Sequence, residues 1–481
     1  MVPYDSRMFI AVGLAVGLAC AATVAAGEAR KQMPEPLKPT VEIEEDVYHF
    51  EPANNGSDPM WCWGSTCLTR AGGELFASGL ETLKEYRPLN NVRWLLFRRG
   101  AEGWERVAAD EKGRTREPCP IVGFSDGQLF LSANPTLLTD PKAEGGGPAR
   151  PEILRFDAKN LKAGYETLLP EWDGKPPFTE HTYRTFAADG PGRELILFNN
   201  IGYDYAEWCF RDRDGRWAAR GRLAWPPKEE PVEVAPYHEK SDRITYPNVV
   251  LKDRAVHLCG AAAYNTWSRV TTPDKMGRNW GNRWRRLYYT WTPDILSRQW
   301  KEWVLVANTQ ENGGWLFPGD LWVGPDGTVH LLWYEGPIGK ALLDQFFPDI
   351  KRTWAWRYAR IRNGKVVYRR TLLEGGEGIN TDTAGETGGA RFQVTPDNRL
   401  FVIYFLVTTD ESGKRVPSNR VMEILPDGSP GESVVLPLQH PLRGFFTATH
   451  RGGSPPSTTV DLLGYRYGTQ NQISYARVRL W

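Results

Sequence analysis

Two segments of this chain carry side chains suited to proton transfer. One is HTYRTF, which begins at His181, and the other is YPNVVL, which begins at Tyr246. Histidine is an effective acid or base near neutral pH, and a tyrosine hydroxyl acts as an acid, or as a base where cations lower its pKa. Arg243 and Asn200 are a cation and an amide that could neutralise a carboxylate. These four residues fit the removal of a proton beside a carboxylate, with His181 and Tyr246 sharing the acid and base roles.

A second group of aromatic, amide and charged side chains is expected on the same face of the protein. Rings cover the C–H surface of sugars, amides bind hydroxyl groups, and arginine binds a carboxylate or sulfate through two parallel hydrogen bonds. The expected substrate-binding residues are Arg184, Tyr203, Tyr264, Asn265, Arg269, Trp315, Tyr334, Glu335 and Arg391. Their composition favours an acidic polysaccharide or oligosaccharide as the partner. The alternative for the aromatic members is packing between strands, where tyrosine and tryptophan are common.

A repeat of a tight turn followed by an alternating strand positions these residues. DGTVHLLWYEG, from Asp326 to Gly336, is one copy. Seven copies recur at intervals of about 54 to 73 residues, a spacing typical of propeller blades. They begin at Gly72, Asp126, Gly192, Asp253, Asp326, Asp397 and Pro455. With one strand before each turn and further strands after it, the sequence predicts an all-β fold, a seven-bladed β-propeller of four-stranded antiparallel blades.

The seventh copy is shorter than the others. Only ISYARVRLW follows its second strand, so one outer strand is missing. VEIEEDVYHF, from Val41 to Phe50, otherwise has no partner, and we expect this N-terminal strand to complete the last blade and close the ring. The predicted organisation is a signal peptide at 1–26, a linker at 27–39 and one propeller domain at 40–481.

Long insertions occur almost entirely on one face of the predicted ring, opposite most of the tight turns. Extra loop length on one rim is how a scaffold builds a pocket. Other residues expected at this mouth are Trp61, Trp63, Arg116, Glu117 and Tyr183, together with the acids Asp320 and Glu386. His257 and His330 lie inside strands, and we expect them to be core histidines.

The N-terminal segment has the features of a secretory signal peptide. Arg7 precedes an apolar run of small residues, and a small-residue cleavage signal ends at Ala26. We therefore expect a secreted or periplasmic protein that leaves the membrane once the signal is removed. Anchoring through a lipidated Cys20 is the less favoured alternative, because Leu18 stands one position too close to it for the usual lipobox.

Charge and cysteine content bear on other classes of protein. The formal net charge is +1, so the basic footprint of a nucleic-acid-binding protein is missing. The spacing of the six cysteines does not fit a structural zinc site, and the sequence identifies no metal site and no cofactor. Cys62 and Cys67 either form a bridge or remain buried thiols. We expect a monomer.

At HTYRTF, YPNVVL and DGTVHLLWYEG the chain resembles the secreted BNR-repeat, sialidase-like propellers, and is closest in kind to ulvan-lyase-type polysaccharide lyases. The resemblance implies that His181 and Tyr246, which open adjacent inner strands, face the same uronate. It also implies a second histidine where this chain has Asn199 and Asn200, and an arginine near Tyr264. The sialidase box S-x-D-x-G-x-T-W does not occur.

Three functions fit these residues. The first is cleavage of a uronate-containing polysaccharide by β-elimination, with the catalytic residues His181, Tyr246, Arg243 and Asn200. The second is glycan binding without chemistry at the same mouth. The third is sialidase-like glycoside hydrolysis, which in most families needs two converging carboxyl groups. Fold analogy alone does not separate them.

Overall fold

A computed structural model describes residues 35–143, 145–202, 205–227, 243–263, 284–309, 312–379 and 385–481. Its strands form seven four-stranded sheets in which consecutive strands pair antiparallel. The innermost strands of successive sheets contact one another around a ring. This arrangement is a seven-bladed β-propeller, which confirms the fold predicted from the repeats.

The first strand, β1 (Thr40–His49), precedes blade one. Blade one contains β2 (Leu68–Ala71), β3 (Glu74–Thr82), β4 (Val92–Gly100) and β5 (Gly103–Ala109). Blade two contains β6 (Ile121–Gly123), β7 (Gln128–Ala133), β8 (Glu152–Asp157) and β9 (Tyr165–Leu168). Blade three contains β10 (Arg184–Asp189), β11 (Glu194–Ile201), β12 (Tyr205–Arg211) and β13 (Trp217–Ala224). Blade four contains β14 (Ile244–Lys252), β15 (Ala255–Ala263), β16 (Trp284–Thr292) and β17 (Val304–Asn308).

Blade five contains β18 (Gly314–Val323), β19 (Val329–Pro337), β20 (Thr353–Arg362) and β21 (Lys365–Gly376). Blade six contains β22 (Thr387–Val394), β23 (Leu400–Thr409), β24 (Arg415–Ile424) and β25 (Val434–Leu436). Blade seven contains β26 (Leu442–Thr447), β27 (Thr459–Arg466) and β28 (Gln472–Arg479). The described chain adds a short helix α1 (Lys340–Phe346) and 3-10 turns at Leu161–Ala163 and Ile295–Ser297. In the part of the chain that the structure describes, none of the helices combines the length and the apolar character of a membrane-spanning segment.

Blade seven takes its fourth strand from the N-terminal side of the domain. β1 pairs antiparallel with β28, with Thr40 opposite Arg479 at one end of the ladder. The ring of Tyr48 stacks on Phe97 of blade one, with centroids 4.9 Å apart, so β1 also packs against the next blade. The prediction that this segment closes the ring is confirmed, and its bounds differ from the predicted ones by one residue at each end.

A short turn joins the first and second strands in blades one to six, whereas residues 448–458 join them in blade seven. In blade five, Asp326 Oδ1 accepts a hydrogen bond of 3.0 Å from the backbone N–H of Thr328. Gly327 has a φ of +75°, a conformation that residues with a side chain rarely adopt. The Asp-Gly pair thus forms the turn that its sequence predicts.

The hydrophobic core lies between neighbouring blades. Phe198 and Trp208 of blade three, for example, belong to one buried cluster with Val249 and Leu258 of blade four. Alternate side chains of each strand therefore pack against the preceding or the following blade, which explains why strands of this chain are apolar on both sides.

Two histidines inside second strands belong to this interior. Nδ1 of His257 lies 2.8 Å from the hydroxyl of Tyr289, and Nδ1 of His330 lies 2.6 Å from that of Tyr358. Burial lowers the pKa of His257 to about 4 and that of His330 to about 3. Both stay neutral at neutral pH, which confirms their interpretation as core histidines.

The ring centre is crossed by residues 61–66 and 449–454, which tie distant blades together. Arg451 Nη1 donates a hydrogen bond of 2.7 Å to the carbonyl of Gly64, and Arg451 Nε lies 2.8 Å from Asp320 Oδ1. The backbone N–H of Phe186 donates to Ser65 Oγ at 2.9 Å. Asp320 is fully buried in this network, so its expected position as an acid at the mouth is wrong.

Candidate functional site

A tyrosine and a glutamate from different blades meet on the loop-rich face. The hydroxyl of Tyr246, in β14, donates a hydrogen bond of 2.8 Å to Oε1 of Glu117, which precedes β6. Both side chains are buried. Tyr246 has a φ of +46°, and the pairing of β14 with β15 shifts between Thr245 and Asn248. This bulge directs the tyrosine away from the regular ladder and towards Glu117.

Burial dominates the electrostatics of this pair. Desolvation raises the pKa of the Glu117 carboxyl, although the positive charges of Arg184 and Arg116 oppose the shift. Desolvation also raises the pKa of the Tyr246 hydroxyl well above its ordinary value, and the charge of Glu117 adds to that shift. The base role considered for Tyr246 required a lowered pKa, and the structure gives the opposite direction. Tyr246 therefore keeps its proton at neutral pH and acts as a donor.

His181 lies on the same face, just before β10, with its side chain 41% exposed. Its Nδ1 is hydrogen-bonded to Oε1 of Glu180, whose Oε2 accepts a bond of 2.9 Å from the backbone N–H of Gly147. Burial raises the pKa of Glu180, but the hydrogen bonds from His181 and from backbone amides outweigh it and leave the pKa below its usual range. In the neutral imidazole, an ionised Glu180 favours the tautomer with the proton on Nδ1, and this tautomer leaves the lone pair of a general base on Nε2.

Tyr183 connects His181 to the Tyr246–Glu117 pair. Its ring centroid lies 4.7 Å from that of Tyr246 and 6.3 Å from that of His181. The guanidinium of Arg243 lies 4.7 Å from the Tyr183 centroid. The structure thus brings together three of the four residues that were expected to be catalytic. We call Glu117, Glu180, His181, Tyr183, Tyr246 and Arg243 the polar cluster.

Asn200 and Arg184 lie behind the polar cluster and hold its backbone. Asn200 Nδ2 donates a hydrogen bond of 2.9 Å to the carbonyl of Ile244, and its backbone N–H donates to the carbonyl of Tyr183 at 3.0 Å. Arg184 Nη2 donates to the carbonyl of Pro118 at 2.8 Å. Both side chains are buried. These positions do not fit the expected roles, in which Asn200 donates a hydrogen bond to the substrate carboxylate and Arg184 contacts the substrate. Both are better described as positioning residues.

A row of aromatic rings leads from the polar cluster across the mouth. Trp61 meets Tyr246 edge-on with centroids 6.3 Å apart, and Trp63 lies 5.6 Å from Trp61. Phe317 is 4.7 Å from Trp63 and 5.1 Å from Trp284. The three tryptophans are partly exposed, so their surface is available to a ligand.

The aromatic row leads into a groove of about 670 Å³ at the mouth side of blades five, six and seven. Its lining includes Trp63, Trp315, Tyr334, Trp354 and Trp356, and we call it the aromatic groove. The rings of Trp315 and Tyr334 are 5.1 Å apart. A volume of this size falls within the range of small-molecule sites. Trp315 and Tyr334 therefore occupy positions that suit their expected role in binding substrate.

Arg391 and Glu386 bring charge to the aromatic groove. Arg391 Nη1 donates a hydrogen bond of 3.0 Å to the carbonyl of Gly319, and burial lowers the pKa of Arg391 to about 10, so it remains charged at neutral pH. Glu386 is paired with Arg415 at 2.7 Å and with Arg443 at 2.6 Å. These ion pairs make Glu386 a partner of arginines within the protein rather than an unpaired acid at the mouth.

Glu335 does not reach the aromatic groove. Its carboxylate accepts bonds of 2.8 Å from Trp333 Nε1 and 3.1 Å from Arg357 Nε. These contacts hold it between strands of blade five, so its expected contact with substrate is wrong. The other expected binding residues Tyr203, Tyr264, Asn265 and Arg269 lie outside the described residues.

Two side chains of the candidate site were not among the residues predicted from the sequence. Glu180 had a signal, because an acid directly before His181 is a natural partner for its imidazole. Trp284 had no signal in the sequence. It follows a long insertion, and its position beside Phe317 depends on the packing of blades four and five. Among the described residues, no group of three or more His, Cys, Asp or Glu side chains could hold a metal ion.

No protein-family model and no curated protein sequence matches the chain. Among solved structures, it is similar to a protein of unknown function from Dyadobacter fermentans, at 12% identity and a TM-score of 0.40, over 75% of this chain and 93% of that one. It is similar to an α-L-arabinanase from Penicillium chrysogenum complexed with arabinobiose, at 10% identity and a TM-score of 0.40, over 74% of this chain and 91% of that one. It is also similar to a polysaccharide lyase, at 9% identity and a TM-score of 0.36, over 74% of this chain and 88% of that one. Membership of the BNR-repeat family stays a prediction.

Proposed function

We propose that the protein is a secreted, carbohydrate-active propeller that cleaves a uronate-containing polysaccharide by β-elimination. The observation that carries this proposal is the position of His181, half-exposed and held through Nδ1 by Glu180. It stands close to the buried Tyr246–Glu117 pair, with Tyr183 between them. A base, proton donors and the cation Arg243 thus share one part of the mouth.

In β-elimination a base removes the C5 proton of a uronate while the bond to the leaving oxygen O4 breaks. We assign the base to Nε2 of His181, and the neutralisation of the uronate carboxylate to Arg243. We assign the proton for O4 to the Tyr246 hydroxyl, which requires the substrate to reach past Trp61 and Tyr183, the rings that pack against this buried tyrosine. Glu117 accepts the hydrogen bond of Tyr246 and so holds its hydroxyl in place.

The aromatic row and groove support a polymeric substrate. Trp63 belongs to both, so a glycan bound at the polar cluster can continue over stacked rings towards Trp315 and Tyr334. Arg391 adds a positive charge that suits a carboxylate or sulfate on a neighbouring sugar. This layout favours cleavage within an acidic polysaccharide over removal of single terminal sugars.

Glycoside hydrolysis is the second candidate, and the Tyr246–Glu117 hydrogen bond favours it. A tyrosine paired with a carboxylate can act as a nucleophile, as it does in sialidases. The two reactions leave different products, because elimination creates a 4,5-unsaturated sugar and hydrolysis does not. The third alternative is a protein that binds glycans without cleaving them, in which the same mouth is a recognition surface.

The test is incubation of the purified protein with a panel of acidic algal and plant polysaccharides. We expect a rise in ultraviolet absorbance from unsaturated ends, together with new reducing ends. His181→Ala should lower this activity by about 100-fold or more, because the base is lost. His440→Gln, which changes an exposed histidine outside the polar cluster, is the matched control and should retain full activity. New reducing ends without absorbance would establish hydrolysis, and binding without either product would leave a glycan-binding protein.

A further inference from the structure

Two cysteine thiols lie in close contact beneath the mouth. Sγ of Cys62 and Sγ of Cys67 are 3.0 Å apart, and both side chains are buried. Carbon atoms in contact are separated by about 3.5–4.0 Å, and sulfur is larger than carbon. The two sulfur atoms are therefore closer than two non-bonded sulfur atoms in van der Waals contact.

The surrounding backbone keeps the two cysteines together. The N–H of Ser65 donates a hydrogen bond of 2.8 Å to the carbonyl of Cys62, which closes a tight turn between them. The N–H of Ser78 in β3 donates to the carbonyl of Cys67 at 2.9 Å. A side chain at Gly64 would stand only 2.2 Å from the carbonyl oxygen of Pro247, so β14 presses on the loop from the other side. The loop therefore has little freedom to move the thiols apart.

We propose that Cys62 and Cys67 form an intramolecular disulfide in the exported protein. The oxidant is a protein or small-molecule disulfide of the oxidising compartment. One thiolate attacks that disulfide and forms a mixed disulfide, and the second thiolate then displaces the donor's thiol. Two electrons and the two S–H protons pass to the donor, whose disulfide is reduced to two thiol groups, and the S–S bond of the protein forms.

The bridge has a consequence for the mouth. It closes a small ring that contains Trp63 and begins next to Trp61, the two rings that join the polar cluster to the aromatic groove. The covalent ring restricts the loop in the unfolded chain and in the folded protein before it binds a ligand, so the tryptophans are ordered in advance. Burial raises the pKa of the Cys62 thiol well above its usual range, which favours oxidation before the loop is packed over by the other blades.

The test uses the full chain exported to an oxidising compartment and purified without reductant. After denaturation and alkylation of free thiols, mass spectrometry should find a peptide pair joined through Cys62 and Cys67, with Cys119, Cys209 and Cys259 alkylated. Reductant should lower the melting temperature of the wild type by a few degrees. It should have no such effect on the Cys62→Ala/Cys67→Ala variant, while the matched control Cys259→Ala should respond as the wild type does.

Complete alkylation of the five cysteines that follow the predicted signal peptide would overturn the proposal, and so would a bridge that joins Cys62 or Cys67 to Cys119. The mass measurement does not depend on catalysis, so its result stands whether or not the protein cleaves a glycan. If the Cys62→Ala/Cys67→Ala variant does not fold, Cys62→Ser alone, with its mass spectrum compared with that of the wild type, still decides the connectivity.

Discussion

Tyr246 of blade four and Glu117 of blade two are 129 residues apart in sequence and share a buried hydrogen bond of 2.8 Å on the loop-rich face. The contact exists because a bulge with positive φ turns Tyr246 out of its strand. It places a proton donor and a carboxyl with a raised pKa beside the half-exposed His181. The same contact gives the most direct test of the chemistry.

Tyr246→Phe removes only the hydroxyl, and we expect turnover to fall by about 100-fold or more because the proton donor to the leaving oxygen is lost. The melting temperature should change little, since Glu117 keeps its contact with Arg116 when this one donor is lost. Tyr404→Phe is a matched control, because its buried hydroxyl contacts Ser433 in blade six, away from the mouth. Full elimination activity in Tyr246→Phe would exclude this hydroxyl from the acid role.

Removal of β1 should destabilise the ring. A chain that starts at residue 50 lacks the strand that pairs with β28, whereas a chain that starts at residue 40 keeps it. We expect the shorter chain to lose several kcal/mol of unfolding free energy, because a strand's burial and hydrogen bonds are lost and a sheet edge is exposed. Chemical denaturation of the two chains measures the difference. Equal midpoints would show that β1 adds nothing to the closure.

Much of the fold could be predicted because the signal is local and repeated. The tight turn followed by an alternating strand recurs seven times, and the shortened last copy identified the strand that closes the ring. The positions of His181, Tyr246, Arg243 and Trp315 near the mouth followed from strand ends alone, without knowledge of any long-range contact.

The details of the polar cluster could not be predicted in the same way. The sequence places Asn200 near the end of a second strand, but its side chain turns to the carbonyl of Ile244 in the next blade. Arg184 likewise turns to Pro118. The direction of the Tyr246 pKa shift depends on burial by residues from three blades, and such burial is a property of the packed ring.

Acid should destabilise the protein through its buried histidines. Burial lowers the pKa of His257 to about 4, of His330 to about 3 and of His450 to about 4. An unfolded histidine titrates near about 6.5, so below that pH the unfolded chain binds protons that the folded chain refuses. These histidines therefore cost the folded protein no stability above about pH 6.5. As the pH falls from about 6.5 towards 4, proton binding to the unfolded chain lowers the unfolding free energy.

Melting temperatures measured between pH 8 and pH 4 test this dependence. His257→Gln should melt lower than the wild type at pH 8, because the contact with Tyr289 is altered, but it should lose less further stability on acidification. His440→Gln, at an exposed position, should keep the wild-type slope. A slope that is unchanged in His257→Gln would remove this histidine from the explanation.

Trp315→Ala tests the aromatic groove. If the ring stacks on a sugar, the variant should bind an acidic polysaccharide more weakly by about 1–2 kcal/mol, which is the scale of losing one aromatic contact. The matched control is Trp303→Ala, which removes a partly buried ring packed between blades three and four, away from the mouth. Affinity per folded molecule and melting temperature should both be measured for each variant. A Trp315→Ala protein that loses stability but keeps its affinity would show that the ring only packs against Tyr334.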